Sequence, residues 1–386
     1  MNKFKMTKIS KIQIFISLCS IVMLAASCNP LSNEKSGAGV AKTTNGGADW
    51  IFSNKAPVST VKKNAKSVDS LLASSSVTSM KLSPSDNSTI FVATQQNGLF
   101  VSRDSAGSWS QILSNFSAYD VAVDPGNADH IFVVGQAGDQ ARVVQTLDAG
   151  KSWLPVYNDA TGGQVARGIA FDPASPTTIV VGFGSGNLIQ SLDGGTTWAL
   201  VQNFQDSVSQ MIWQSSTLCI LTRTKGLFTS QDGGKTIVNV SKQLLNIASW
   251  RQQINDLLGS DATATGRVNI PSAETTAFYK VLVTDGSPRQ IFIGANNGLF
   301  KSINGGVNWQ YLQLPLKSAQ ATEVRGIGLQ NNGATIFASV GNTVYKTTNA
   351  GSSWQVSAIA TGTVINYILV DPKFDQVVYA GFIPGQ

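Results

Sequence analysis

Ser191-Leu192-Asp193-Gly194-Gly195-Thr196-Thr197-Trp198 is one of seven copies of a single phrase, Ser/Thr-x-Asp/Asn-x-Gly-x-x-Trp. The others run from Thr43 to Trp50, Ser102 to Trp109, Thr146 to Trp153, Ser230 to Ile237, Ser302 to Trp309 and Thr347 to Trp354. Their third residues are Asn45, Asp104, Asp148, Asp193, Asp232, Asn304 and Asn349, separated by 59, 44, 45, 39, 72 and 45 residues. Apolar, strand-like runs stand upstream, such as Gly98-Leu99-Phe100-Val101 and Gly298-Leu299-Phe300-Lys301. A unit recurring near 45 residues and built of short strands marks a β-propeller, one four-stranded blade per repeat. The expected fold class is all-β: a seven-bladed β-propeller with the last blade closed by N- and C-terminal strands, plus one inserted helix.

Within the phrase, the short Asp or Asn side chain can accept hydrogen bonds from backbone N–H groups one or two residues on. The fifth-position glycine supplies a backbone conformation that a Cβ penalises, and the closing Trp offers a large apolar face to wedge between sheets. Two copies depart from the pattern: Ala106 replaces the glycine and Ile237 replaces the Trp. These residues resemble the Asp-box (BNR) repeat over nearly the whole chain after the leader. That repeat also occurs in sialidases, xyloglucan-specific endoglucanases, sortilin-type receptor domains and photosystem II assembly-factor-like proteins. Equivalent sites spread around a ring read as structural rather than catalytic.

Between boxes a second pattern repeats, an alternating strand ending at Asp-Pro or Ser-Pro and then another strand, as in Tyr119 to Pro125 followed by His130 to Gly135. The chain ends are complementary. A box opens the N-terminal side without its two preceding strands, and Ile365 to Pro372 with Gln376 to Phe382 supplies two strands without a box. Joined, they form a seventh blade that hides both sheet edges.

The leader predicts export. Lys3, Lys5, Lys8 and Lys11 form a basic start, and Ile12 to Ala26 an apolar stretch that is short for a membrane-spanning helix. Residues 1–27 read as a signal peptide. Ala25-Ala26-Ser27-Cys28 resembles a bacterial lipobox, with Ala25 where the family favours Leu and Leu24 one place earlier. The resemblance implies lipidation of Cys28, with ordinary cleavage near Ser27 the alternative. Residues 28–41 read as a tether, small and polar, and residues 42–386 as the propeller. The implied location is exported and lipid-anchored to a bacterial membrane, facing the periplasm or the cell surface. Cys219, in Leu218-Cys219-Ile220-Leu221, reads as a buried inert thiol. The formal charge of +6 includes four leader lysines, leaving 24 basic against 22 acidic residues, which removes a general nucleic-acid argument.

Taking one residue per blade near the start of each inner strand gives Thr78, Tyr119, Arg167, Ser209, Tyr279, Arg325 and Asn366, expected to ring the channel mouth on the face opposite the boxes. Tyr119, Arg167, Tyr279 and Arg325, with Glu323 beside them, suit an anionic or sugar-like ligand or a partner's acidic loop. Two inter-blade insertions, 51–76 and 239–275, are expected on the same side. The first contains Lys62-Lys63-Asn64-Ala65-Lys66 and Leu71-Leu72. The second carries an amphipathic helix from Ser241 to Leu258 with the stripe Leu244, Ile247, Trp250, Ile254, Leu257 and Leu258.

Glycosidases need two carboxyl groups across a cleft, one kept protonated. After the leader the glutamates are Glu34, Glu274 and Glu323, and eight of the nineteen aspartates belong to boxes or Asp-Pro turns. There is no Arg-Ile-Pro segment and no third equivalent arginine, and seven blades are implied where sialidases use six. Xyloglucanases use a cleft between two propellers, whereas one is expected here. The single histidine, His130, reads as packed or solvated. No cofactor or metal is implied. The leading expectation is a non-catalytic protein-binding or assembly module, most similar to the photosystem II assembly-factor-like group. The alternative is a glycan-binding or glycan-cleaving lipoprotein using Glu323, Arg167 and Arg325.

Overall fold

The computed structural model describes residues 37–58, 68–159, 162–245, 276–286, 289–316 and 323–384. The leader, Cys28 and the lysine run 62–66 lie outside these residues. Among the described residues, twenty-eight strands, numbered β1 to β28 in chain order, form seven four-stranded antiparallel sheets. The innermost strands are β3 (Val77–Leu82), β7 (Ser117–Asp124), β11 (Ala166–Asp172), β15 (Val208–Gln214), β19 (Phe278–Val283), β23 (Val324–Gln330) and β27 (Thr363–Val370). Each touches the inner strands of its two neighbours, β27 meeting β3, so the seven blades close into a ring.

Closure takes the expected form. The seventh sheet runs β2 (Ile51–Phe52), β1 (Gly39–Thr43), β28 (Val378–Pro384), β27, with Gly39 opposite Phe382 and Thr43 opposite Val378. Strand β1 starts at Gly39, so residues 39–41, read as the end of a tether, belong to the sheet. Val40 and Ala41 are fully buried there. Part of the first insertion locks this strand. Asn54 Oδ1 accepts from Val40 N at 2.8 Å, its Nδ2 donates to Ala38 O at 3.2 Å, and Leu72 packs buried beside Val40. Leu71, its neighbour, is exposed. Of the second insertion, residues 246–275 lie outside the described residues. What is described begins as a short 3₁₀ turn, Lys242–Leu245, with Leu244 buried.

The core is seven separate apolar wedges, one between each pair of adjacent blades. Val40, Tyr379, Met80 and Phe100 join the seventh blade to the first, and Cys219, Leu227, Phe278 and Ile293 join the fourth to the fifth. Cys219 is fully buried, and burial pushes its thiol up to about 12, which leaves it unreactive. His130 lies within β8 (Asn127–Ala137), its Nδ1 2.9 Å from Asp124 Oδ2 and its ring 4.9 Å from that of Phe132.

Every box folds alike, but the Asp or Asn reaches further than one or two residues. Its Oδ1 accepts from the backbone N–H four residues on: Ser108 to Asp104 at 2.8 Å, Thr197 to Asp193 at 2.8 Å, Asn308 to Asn304 at 2.8 Å. The opening hydroxyl receives the fifth residue's N–H, as Gly195 N does to Ser191 Oγ at 2.8 Å. That fifth residue has positive φ in all seven copies, from 69° at Ala106 to 101° at Gly351, which explains the glycine preference. Several box Trp residues bolt neighbouring blades: Trp109 Nε1 donates to Ser53 O at 2.5 Å, Trp153 Nε1 to Ile112 O at 2.7 Å and Trp309 Nε1 to Val240 O at 3.1 Å. At the blade lacking Trp, Ile237 packs on the wedge containing Phe204.

These bonds hold the box carboxyls below their ordinary range: Asp193 near 2 through Thr197 and Ser191, Asp232 near 2 through Thr236 and Ser230, with Asp148 and Asp104 also lowered. A carboxyl lower in the folded than in the unfolded state contributes stability that is present above the unfolded value of 3.8 and fades as pH falls toward the folded one. The melting temperature is therefore expected to fall between about pH 4 and pH 2. An Asp193→Asn/Asp232→Asn variant should show a shallower decline, because Asn45, Asn304 and Asn349 make the same turn without a titrating group. Parallel curves for the two proteins would show that the boxes do not set the acid limit.

Candidate functional site

Each inner strand carries a β-bulge near its start. In six blades the residue left without a ladder partner is Thr78, Tyr119, Arg167, Ser209, Tyr279 or Asn366. In the sixth blade Arg325 and Gly326 share the place opposite Ser339. A bulge bends the strand and re-aims its extra side chain. All seven side chains line one polar cavity of about 490 Å³ at the channel mouth. The strands alternate in direction, so each box, after the third strand of a blade, lies at the far end from these residues.

The seven positions divide by what they touch. Thr78 Oγ1 donates to Ala118 O of the next blade at 2.8 Å, and Asn366 Nδ2 donates to Val77 O at 3.0 Å, so these two tie blades together. The expected site residues form two clusters. Arg167, exposed, stands 5.3 Å over the Tyr119 ring. Around Tyr279 the guanidiniums of Arg325 and Arg223 lie 4.5 and 4.6 Å from the ring centroid. The Tyr279 hydroxyl donates to Glu323 Oε1, and Arg325 Nε donates to Glu323 Oε2 at 3.0 Å. Burial works to raise the Glu323 carboxyl, but the Arg325 and Tyr279 bonds outweigh it and hold it below the usual carboxylate range. Burial and the Glu323 contact push the Tyr279 phenol up to about 12.

Arg223 was not among the residues expected at the mouth. It follows β16 (Thr217–Thr222) in the hairpin leading to β17 (Gly226–Ser230), outside the inner strands from which the ring was read. Its backbone is pinned on both sides: Arg223 N donates to Ser207 O and Phe278 N donates to Arg223 O, each at 2.8 Å. Also unforeseen is the next layer down, Ser79, Asp120, Gln210, Lys280 and Tyr367, which lines the same cavity. Asp120 stitches three blades: Oδ1 accepts from Ser79 Oγ at 2.6 Å and Val121 N at 2.9 Å, and Oδ2 from Ile169 N at 3.2 Å. Its signal was a carboxylate inside an apolar inner strand.

Chemically, the mouth presents fixed positive charge. Among the described residues, the carboxylate bonded within this cluster is Glu323, which is ionised and already held by Arg325 and Tyr279. A glycosidase acid must keep its proton near neutral pH. Glu323 is stabilised in the opposite state, and Asp120 spends its oxygens on Ser79 and backbone amides. Among the described residues, no group of three or more His, Cys, Asp and Glu side chains is placed to hold a metal ion.

No protein-family model matches the chain, and no curated protein matches its sequence. Solved structures match its fold. The GH74 xyloglucanase from Xanthomonas campestris aligns at TM-score 0.60 and 14% identity, over 80% of this chain and 51% of the other. A structure of YCF48 bound to D1 peptide aligns at 0.57 and 13% identity, over 80% of this chain and 94% of the other, and YCF48 from Cyanidioschyzon merolae at 0.55 and 12%, over 80% and 95%. The chain thus spans about half the length of the xyloglucanase it matches and nearly the full length of the YCF48 chains. At these identities the likeness establishes the fold: this chain is a seven-bladed β-propeller.

Proposed function

We propose that this chain is a non-catalytic binding module that takes an acidic segment of a partner protein at the channel mouth, on the face opposite the boxes. The observation that carries the reading is the repeated bulge, which delivers Arg167, Tyr279 and Arg325 to one mouth beside Arg223. Guanidinium forks bind carboxylates in a fixed, often bidentate geometry and steer acidic partners from a distance. The complex of YCF48 with D1 peptide supports peptide capture by a propeller of this kind. Lipidation of Cys28 belongs to the same proposal, and would hold the module at a bacterial membrane with its mouth open to exported partners.

A glycan ligand is the second reading, favoured by the tyrosines at the mouth. Its weakness is that the aromatic faces a sugar would stack on carry guanidiniums already, Arg167 over Tyr119 and both Arg223 and Arg325 over Tyr279.

The test compares wild type with Arg167→Ala/Arg223→Ala, chosen because both side chains are exposed and neither holds Glu323. Wild type is expected to capture a protein stoichiometrically from solubilised membranes and to release it as salt rises. The double variant, melting as wild type does, should bind that protein about 100-fold more weakly, two charge-assisted contacts having been lost. Undiminished capture removes the mouth from the reading. Retention of a polysaccharide in place of a protein would establish the glycan ligand instead.

A further inference from the structure

Below the arginines the channel carries two more cations. Lys280, in the second layer, is 4% exposed and lines the mouth cavity, and its Nζ lies 3.0 Å from the centroid of the Tyr367 ring. Lys81, two residues further along β3 than Ser79, the counterpart of Lys280, lines a second cavity of about 270 Å³ at the other end of the channel. It is near enough to Lys280 that its charge joins burial in pushing the Lys280 amine down.

Neither ammonium has a carboxylate partner among the described residues, where the ion pairs are His130–Asp124 and Arg325–Glu323. Asp120 is the carboxylate at this depth, and its oxygens are taken by Ser79 Oγ and the amides of Val121 and Ile169. Taking an ammonium out of water is costly unless something compensates it. Of the neighbouring groups, Asp120 supplies a carboxylate whose charge acts on both lysines, the Tyr367 hydroxyl is hydrogen-bonded with Lys280, and Gln210 uses Oε1 to accept from Val281 N at 2.8 Å, which leaves its NH2 as the polar end that remains. Two ammoniums against the Asp120 carboxylate leave an excess of positive charge at the base of a cavity that opens to solvent at the mouth.

We propose that Lys280, with Gln210 and Tyr367 beside it and Lys81 adding charge from below, forms a binding site for a small oxyanion of the phosphate or carboxylate class. The site lies deeper than the arginines and acts separately from them. It is filled by a free anion that enters through the mouth.

The experiment titrates the full chain calorimetrically with inorganic phosphate and, separately, with acetate, each at constant ionic strength. At least one is expected to bind saturably at one site per chain, phosphate alone indicating a phosphoryl ligand and acetate a carboxylate. Lys280→Met should weaken that binding by ~10-fold or more, as loss of a charge-assisted contact requires. The Arg167→Ala/Arg223→Ala variant should keep it within ~3-fold, since those charges lie further off. That variant separates the two ideas, because loss of the partner leaves the anion site intact and the converse holds for Lys280→Met. Absence of saturable binding by either anion overturns the proposal, and so does undiminished binding in Lys280→Met. Should Lys280→Met fail to fold, Lys81→Met carries the same comparison, and equal affinity in it and wild type counts against the site.

Discussion

A chain lacking residues 1–55 is expected to lose cooperative folding altogether. The deletion removes β1 and β2, and with them Val40 and Ala41, both fully buried, and the Asn54 clamp on the Val40 amide. It also exposes the whole of β28 along an edge that β1 had paired from Gly39 to Thr43. Burying a single aliphatic side chain contributes about 1.5–3 kcal/mol, and whole domains are stable by only about 5–15 kcal/mol. Losing an entire strand from a closed ring reaches that limit. The open edge then becomes a template for other chains, so aggregation should accompany unfolding. Urea unfolding and size-exclusion chromatography measure both effects. A peptide of residues 37–58 added in trans should restore a monomeric, cooperatively melting species. An unchanged midpoint for the shortened chain would show that the ring does not depend on its N-terminal strand.

The second large effect is expected at Trp109. Its side chain is 1% exposed, its indole N–H reaches Ser53 O, and its own backbone N–H donates to Lys55 O at 2.8 Å. It thereby bolts the first blade to the outer edge of the closing blade. Trp109→Ala should cost about 3–5 kcal/mol, the range for deleting a buried aromatic. Trp198→Ala should cost clearly less, because that Trp is only half-buried and its indole N–H stays within its own box, donating to Gly195 O at 3.0 Å. Chemical denaturation of the two variants side by side tests the distinction. Equal losses would mean that the box Trp residues act on their own turns and do not join blades.

The architecture was legible because its cause repeats. Seven boxes impose seven identical turns, and the alternation after Tyr119 or Arg167 shows where each inner strand begins. Counting along those strands placed Tyr119, Arg167, Tyr279 and Arg325 at one mouth, since every bulge interrupts its strand near the same place. Glu323 was found by adjacency to Arg325. What the repeats could not show is whatever breaks them. Arg223 sits in a hairpin whose counterparts in the other blades carry no arginine. Lys280 and Asp120 occupy a layer where sister blades carry Gly168 or Gly326, so alignment alone gives them no common role. The work of Asn54 within the first insertion was equally hidden. Its bonds go to Ala38 and Val40, which precede it by 16 and 14 residues and are brought to it only by the closing strand.

The seven bulged residues have one more implication. A side chain that stands outside the ladder and the apolar wedges, and does not tie blades as Thr78 and Asn366 do, can be exchanged without disturbing either. Specificity and stability are then written at separate addresses in the same chain. Selection, or a protein engineer, can repaint the mouth one blade at a time, as a type compositor changes letters in a fixed frame. The present set of arginines and tyrosines is one composition among the many that this ring can display.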